Sequence, residues 1–520
     1  MTLAASSPPN VGNADVQERR CLSQLRSAES DLEKFIYLSS LRLRQPHLYY
    51  RLLVKHFVEL APLQYTPTVG EACLRWSEIY RQPEGLYISY ERDRGSLRKL
   101  LQNWPQEKVA ITVVTDGSRI LGLGDIGVNG MGIPIGKLAL YVACGGVDPR
   151  HVLPITVDLG TNNEDLRANE MYMGSRNPKP PRHDEEAFLD ELMEALTGRW
   201  PGIVVQFEDW KNPWYTLEKY GPKYAMFNDD IQGTGAVIMA GIITAVRLSG
   251  LSVRDHRAVF FGAGSAAVGV AKQIVQYFMA QGLSEDEARG LFWLVDRHGL
   301  VTKDRGDDLP DHKRYFARDD NGGQQFARLE ETAKHVKPTI LVGLSGVHNA
   351  FHEDLLHNMS SWSKRPIIFP LSNPTSASEC TFEQAINATE GRALFAAGSP
   401  FAAIKYHGDE YHPAQGNNMY VFPGLGQGAI LSQSKHVTQN MVYAAGAAIP
   451  DVMLKEEVKA GLLYPELDRK REVGRFVTMR VIRAAQKDEV DRATDLRRMS
   501  DDELLDWISK KMYDPFRVDD

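Results

Sequence analysis

The chain has 520 residues, 43% of them apolar and 24% charged. That is enough for roughly two to four domains with sizeable cores, and it excludes a disordered chain, a collagen-like chain and a disulfide-dense mini-protein. With 60 Lys and Arg against 67 Asp and Glu, the formal net charge of −7 is a poor basis for general nucleic-acid binding.

The four cysteines, Cys21, Cys73, Cys144 and Cys380, lie far apart and form no C-x-x-C pair, which fits a reducing compartment and argues against a thiolate zinc site. The best apolar run, Gln232 to Val246, is shorter than a membrane span needs and ends at Arg247. The first residues lack the apolar core of a secretory signal and the early arginines of a transit peptide. The expectation is a cytoplasmic protein, with the mitochondrial matrix as the alternative, that engages neither membrane nor nucleic acid.

Residues 1–16 read as a loose tail of small and polar residues. Ser30-x-x-Glu33 resembles a capping box, and Leu32, Phe35, Ile36 and Leu38 follow at near-helical spacing, so 17–83 are predicted to be mainly helical. Short apolar runs then end in small or acidic residues, at Val109–Thr115 and Val152–Val157, as strands buried on both faces do. Gly202–Phe207 ends in Glu208-Asp209. After a predicted helix at Tyr215–Tyr220, Tyr224–Phe227 ends in Asn228-Asp229-Asp230. Further strands are predicted at Ala258–Phe261, Leu291–Val295, Thr339–Leu344, Ile367–Leu371 and Ala393–Ala397, alternating with helices in a doubly wound α/β pattern. The charged tail beyond about 450 is predicted to be helical, with a second capping box at Ser500-x-x-Glu503.

Three constellations carry chemistry. Gly262-Ala263-Gly264-Ser265-Ala266-Ala267 reads G-x-G-x-x-A after an apolar strand and at the opening of a helix, the arrangement that brings backbone amides to a dinucleotide pyrophosphate. Asp296, at the end of the next strand, is a candidate for the ribose hydroxyls, although it lies further on than the roughly 20 residues usual for such an acid. The basic residues after it, Lys313 among them, offer either a solvated loop or a partner for the 2′-phosphate of NADP. Glu208, Asp209 and Asp230 would repel one another unless a cation lay between them, and hard oxygen donors without Cys or His favour Mg²⁺ or Mn²⁺. The bland alternative is a set of helix caps and surface acids. Finally, a glycine-rich segment runs between Arg119 and Lys137. Arginine suits a carboxylate, and a lysine among apolar residues can have its pKa lowered to serve as a base. Spacing alone makes this segment a flexible loop with both cations in water. Asn373 and the Asn417-Asn418 pair read by default as turn residues, and Tyr65-Thr-Pro-Thr as a helix break.

Taken in order, Tyr65-Thr-Pro-Thr-Val-Gly70, Gly122-Leu-Gly-Asp-Ile-Gly127, Gln206-Phe-Glu-Asp209, Phe227-Asn-Asp-Asp-Ile-Gln-Gly-Thr234, Gly262–Ala267, Ser372-Asn-Pro-Thr375 and Gly416-Asn-Asn418 resemble the motifs of the malic enzymes, over about residues 20–485. The resemblance implies oxidative decarboxylation of L-malate to pyruvate and CO₂ with reduction of NADP, or of NAD, in the presence of Mg²⁺ or Mn²⁺. It implies Glu208, Asp209 and Asp230 as metal ligands, Lys137 as general base, Tyr65 as general acid and Asp229 as the partner of Lys137. Arg119, Asn373, Asn417 and Asn418 become malate-binding groups, and Asn212, the 262–267 turn, Asp296 and Lys313 cofactor contacts, with Lys313 favouring NADP. It also implies a Rossmann-type NAD(P)-binding domain, a second parallel-sheet α/β domain and a homodimer or homotetramer. The boundaries expected are a helical N-terminal region at 1–83, a malate- and metal-binding domain at 84–229 completed by 418–490, the Rossmann-type domain at 230–417 and a helical tail at 491–520.

Overall fold

The computed structural model describes residues 13–120 and 122–517. The expected loose tail lies mostly outside these residues. At its end the expectation is corrected, because a helix already begins at Ala14, where the Asn13 side chain accepts from the Val16 amide at 3.0 Å and satisfies an otherwise open helical N–H. The chain forms two compact units, residues 1–205 with 209–211 and 509–520, and residues 206–208 with 212–508.

The first unit opens with helices. Asp31–Arg44 starts at the predicted capping box, in which Ser30 and Glu33 each satisfy the other's backbone amide. Its Leu32 and Phe35 pack with Val69, Ala72, Cys73 and Trp76 against Ile133 and Ile135. Three parallel strands follow in the spatial order β1 (Leu86–Ser89), β3 (Val152–Asp158), β2 (Ile111–Thr115). Every residue of β2 is buried, which accounts for its unbroken apolar run. The strand β4 (Val204–Phe207) comes next in this sheet, and the division between the units passes through it. β1 was not predicted: it is short, at the sheet edge and only partly buried, so its pattern is weak.

The second unit contains β5 (Met226–Asn228) and a seven-stranded sheet. The strands of that sheet are β6 (Ala258–Phe261), β7 (Phe292–Asp296), β8 (Gly299–Leu300), β9 (Ile340–Gly343), β10 (Ile367–Pro370), β11 (Leu394–Ala397) and β14 (Ala414–Gln415), with the hairpin β12 (Ile404–Tyr406) and β13 (Asp409–Tyr411) between the last two. The order is β14-β11-β10-β9-β6-β7-β8, parallel except for β8. β6 therefore lies between β7 and β9, and successive connections run to opposite sides of it, the doubly wound arrangement that opens a crevice at the strand ends. Five predicted strands of this unit match β6, β7, β9, β10 and β11 to within a residue or two.

The apolar run at Gln232–Val246 lies within a longer helical stretch, Asp229–Ser249, that is long and apolar enough to cross a membrane by length and composition. Its window is 83% buried in the fold, as expected of a core helix. All four cysteines are buried and make no disulfide.

Helix Phe422–Leu431 lies so close to Lys470–Lys487 that a Cβ on Gly424 would stand 2.5 Å from Val477 Cγ1 and 3.1 Å from the Gly474 carbonyl oxygen. Alanine at Gly424 would gain about 1 kcal/mol of helix propensity but would have to displace a β-branched side chain, which costs about 1–3 kcal/mol. Gly424→Ala is expected to lower stability by about 1 kcal/mol and to lower Tm in thermal unfolding. A double-mutant cycle with Val477→Ala should give a favourable coupling; a single variant as stable as the parent would show that the two helices separate without cost.

Candidate active site

The reading of 119–137 as a flexible loop with both cations in water is corrected for Lys137. Gly132–Ala143 is a helix buried at every residue, and Lys137 lies in it with 1% exposure. Apolar neighbours all round bury a helix of this kind whatever its glycines cost in propensity. One of those glycines has a clear use. A Cβ on Gly136 would stand 2.8 Å from the Gln64 carbonyl oxygen, so glycine lets the helix approach the end of Phe57–Gln64. The next residue, Lys137, then has its Nζ 5.5 Å from the ring centroid of Tyr65. Arg119 is instead exposed, on the turn after β2, where its amide donates to the Asp209 carbonyl at 3.1 Å.

The predicted carboxylates converge. Glu208, Asp209 and Asp230 each offer a ligand oxygen, and these oxygens all lie within 4.8 Å of one another. In a strand, neighbouring side chains point to opposite faces, so Glu208 and Asp209 meet only because β4 has ended. Asp209 takes φ = 58°, a left-handed conformation that aspartate tolerates better than most residues. Gln206 Nε2 donates to Glu208 Oε2 at 2.7 Å and fixes that carboxylate. After β5 the chain makes a π-turn, Asp229–Gly233, a form common at functional sites. Asn228 Oδ1 accepts from the Ile231 amide at 3.1 Å, and a Cβ on Gly233 would collide with the Asp229 carboxylate. The turn thus carries Asp229 fully buried and leaves Asp230 partly exposed. Three hard oxygen donors with no sulfur or imidazole fit Mg²⁺ or Mn²⁺.

Asn418 lies beside Asp229, donating from Nδ2 to Asp229 Oδ2 at 2.9 Å and to Thr234 Oγ1 at 3.1 Å. Asn417 caps the following turn, with Oδ1 accepting from the Met419 amide at 3.0 Å. Asn373 is exposed and accepts from Ser399 Oγ at 2.5 Å. Asn212 is exposed at the start of helix Pro213–Tyr220.

The glycine motif occupies the crevice between β6 and β9. Gly262 has φ = 121°, and a Cβ there would collide with the Leu344 carbonyl oxygen, so this turn requires glycine. A Cβ on Gly264 would meet nothing within 4 Å, which leaves room beside the N-terminus of helix Ser265–Ala280. Ala267 is buried. Ala263, Ser265 and Ala266 complete this turn from strand to helix. Asp296 ends β7 and is paired with Arg305 at 2.9 Å and with Lys313 at 2.6 Å. Burial alone would raise the Asp296 carboxyl, but Lys313, the His298 amide and Arg305 outweigh it and hold the group below its ordinary value.

Sequence reasoning missed Glu379. Fully buried, it accepts from the Ser345 amide at 3.0 Å and from the Ser345 and Ser372 hydroxyls at 2.9 and 2.5 Å. It ties together the turns after β9 and β10, the second of which carries Asn373. The only sequence signal is an acid among apolar and small residues next to Cys380, which a surface turn would give as readily.

Two family models match the chain. One, described as "Malic enzyme, N-terminal domain", covers residues 43–221, and the other, "Malic enzyme, NAD binding domain", covers residues 231–486. An NADP-dependent malic enzyme of Dictyostelium discoideum is 44% identical over 92% of this chain and 88% of its own length. An NAD-dependent malic enzyme of Acinetobacter baylyi is 42% identical over 98% of this chain and 90% of its own. The crystal structure of Entamoeba histolytica malic enzyme shares the fold, with a TM-score of 0.60 at 21% identity over 97% of this chain and 92% of that one.

Asp230→Asn is expected to weaken Mn²⁺ binding about tenfold or more in calorimetric titration, and unchanged affinity would remove Asp230 from the ligand set. The Asp296 carboxyl titrates lower in the folded than in the unfolded chain. Its stabilisation is therefore present above the unfolded value of about 3.9 and is lost as pH falls through the folded value. Asp296→Asn should thus be less stable than the parent near neutrality, with the gap narrowing as pH falls below the unfolded value of about 3.9 in denaturant unfolding. A gap independent of pH would trace the loss to something other than these ion pairs.

Proposed function

Because the chain belongs to the malic enzyme family, we propose that it oxidises and decarboxylates L-malate to pyruvate and CO₂ while reducing NADP. The observation that carries this reading is the convergence of Glu208, Asp209 and Asp230 within 4.8 Å, a cage for a divalent cation. When bound there, such an ion would supply Lewis-acid polarisation of the substrate oxygens. The glycine turn at 262–267 with Asn212 and Asp296 would hold the dinucleotide, which when bound would supply the acceptor for the hydride on malate C2.

In this reading Arg119, Asn373 and Asn417 orient malate, and Lys137 takes the proton of the C2 hydroxyl as the neutral amine. Loss of hydride and proton leaves a 3-keto acid, whose C3–C4 bond breaks to release CO₂ and leave the enolate of pyruvate. Tyr65 then gives a proton to C3. Asp229, held by Asn418, is assigned in the same reading as the partner of Lys137. Lys137→Ala and Tyr65→Phe should each lower kcat by about 10²–10⁴ while leaving NADP affinity within about twofold. The assay follows reduced nicotinamide and pyruvate from malate with Mn²⁺, with and without chelator. Turnover in the wild type that ignores the chelator would refute the metal-dependent reaction.

NADP is proposed over NAD because Lys313 is already at the tip of β7 beside Asp296, where a cation can pair with a 2′-phosphate. The NAD reading has its own support in the Acinetobacter relative. Lys313→Gln should reduce the ratio of kcat/KM for NADP over NAD by about tenfold or more; an unchanged ratio would defeat the assignment. Assembly as a homodimer or homotetramer and a cytoplasmic location complete the proposal, and sedimentation of the purified chain tests the first.

A further inference from the structure

The first unit contains a cavity of about 590 Å³ between the turn after β2 and the segment that follows β4. Two cations line it whose side chains make no hydrogen bond or ion pair with any described residue, Arg119 and Lys211. Their backbones are fastened together. The Arg119 amide donates to the Asp209 carbonyl at 3.1 Å, and the Lys211 amide donates to Ser118 Oγ at 2.9 Å. Between them Trp210 is buried, with Nε1 donating to the Val114 carbonyl at 3.1 Å, so the segment that carries Lys211 is anchored.

The remaining charges of the cavity are already engaged. Lys179 is paired with the buried Asp116 at 2.6 Å. The Asp125 carboxylate accepts the amides of Gly127 and Asn162, each at 3.2 Å. Counting Arg119 and Lys211 against Asp125, and the Lys179–Asp116 pair as neutral, the cavity is left with one net positive charge. The guanidinium suits a carboxylate fork, and the ammonium, a point charge on a flexible stem, suits a second anionic group at a less fixed place.

We propose that Lys211 is a specificity-determining residue that selects dianionic over monoanionic substrates by adding a second cation beside Arg119. The inference rests on the function proposed above, in which Arg119 binds the substrate. A dicarboxylate gains from both cations, whereas a monocarboxylate can satisfy only one at a time. Because Lys211 is exposed, its attraction acts across water and is screened by salt.

The test uses the full-length protein and Lys211→Gln, a change that keeps the backbone bond to Ser118. At about 20 mM ionic strength KM for malate should rise about three- to tenfold with kcat within about twofold, and the difference should shrink at about 300 mM. Lys211→Arg should behave as the parent. The preference for succinate over butyrate as competitive inhibitors should fall by the same factor as KM rises. An unchanged KM at low salt overturns the proposal, as does an increase that ignores salt and weakens both inhibitors equally. If the parent protein does not oxidise malate, the functional reading has failed. Calorimetric titration of succinate into parent and variant then decides the role of Lys211 independently, since equal affinities overturn it.

Discussion

The arrangement on which the rest depends is one that water would never assemble: three carboxylates with oxygens within 4.8 Å of one another, two of them buried. Like charges about 4 Å apart oppose one another by about 4 kcal/mol at the effective dielectric of a protein surface. Several local devices impose this crowding. β4 stops before Glu208, Asp209 turns into the left-handed region, and the chain after β5 takes a π-turn that lifts Asp230 while burying Asp229. Folding energy keeps such a cluster in place, and a divalent cation held there would relieve it. The site is therefore best understood as a shape held ready for a charge.

Other buried or half-buried acids show the contrast. Asp116 is matched by Lys179, Asp296 by Arg305 and Lys313, and Glu379 by an amide and two hydroxyls. In each, the fold supplies the compensation, and the group serves to fasten loops. Glu208, Asp209 and Asp230 differ in converging on one another, with three carboxylate oxygens within 4.8 Å. Composition cannot separate these two kinds of acid, since all are carboxylates at strand ends or in connecting segments. The groups around each one do, and that requires the fold.

Where the sequence was legible, one local rule dominated. The buried strands β2, β6, β9, β10 and β11 are continuous apolar runs, and the Ser30–Glu33 box marks its helix because the pattern and the hydrogen bonds are both local. The strand ends carrying Glu208, Asp209 and Asp230 could be placed for the same reason. β1 and the β12–β13 hairpin were missed because they are short and partly exposed, so neither face carries a strong pattern. The glycine-rich stretch misled for the opposite reason. Its glycines weaken the local helical signal, yet burial on every side makes Gly132–Ala143 a helix, and burial is a property of the whole unit.

The fate of Arg119 and Lys137 shows what that burial achieves. Two cations bracket one glycine-rich segment, and spacing alone puts both in water. Folding sends one to the surface and the other into a core. An exposed guanidinium keeps its charge and can meet an anion arriving through water, where attraction extends for several ångströms before salt screens it. A side chain that is 1% exposed is closed to an ion arriving through water and acts only on the groups packed against it. Gly136 governs the second of these placements: the absent side chain that lets the helix close on Gln64 also brings Lys137 to its distance from the Tyr65 ring. A larger residue there would push the helix away, so the depth at which Lys137 is buried rests on a missing methyl group.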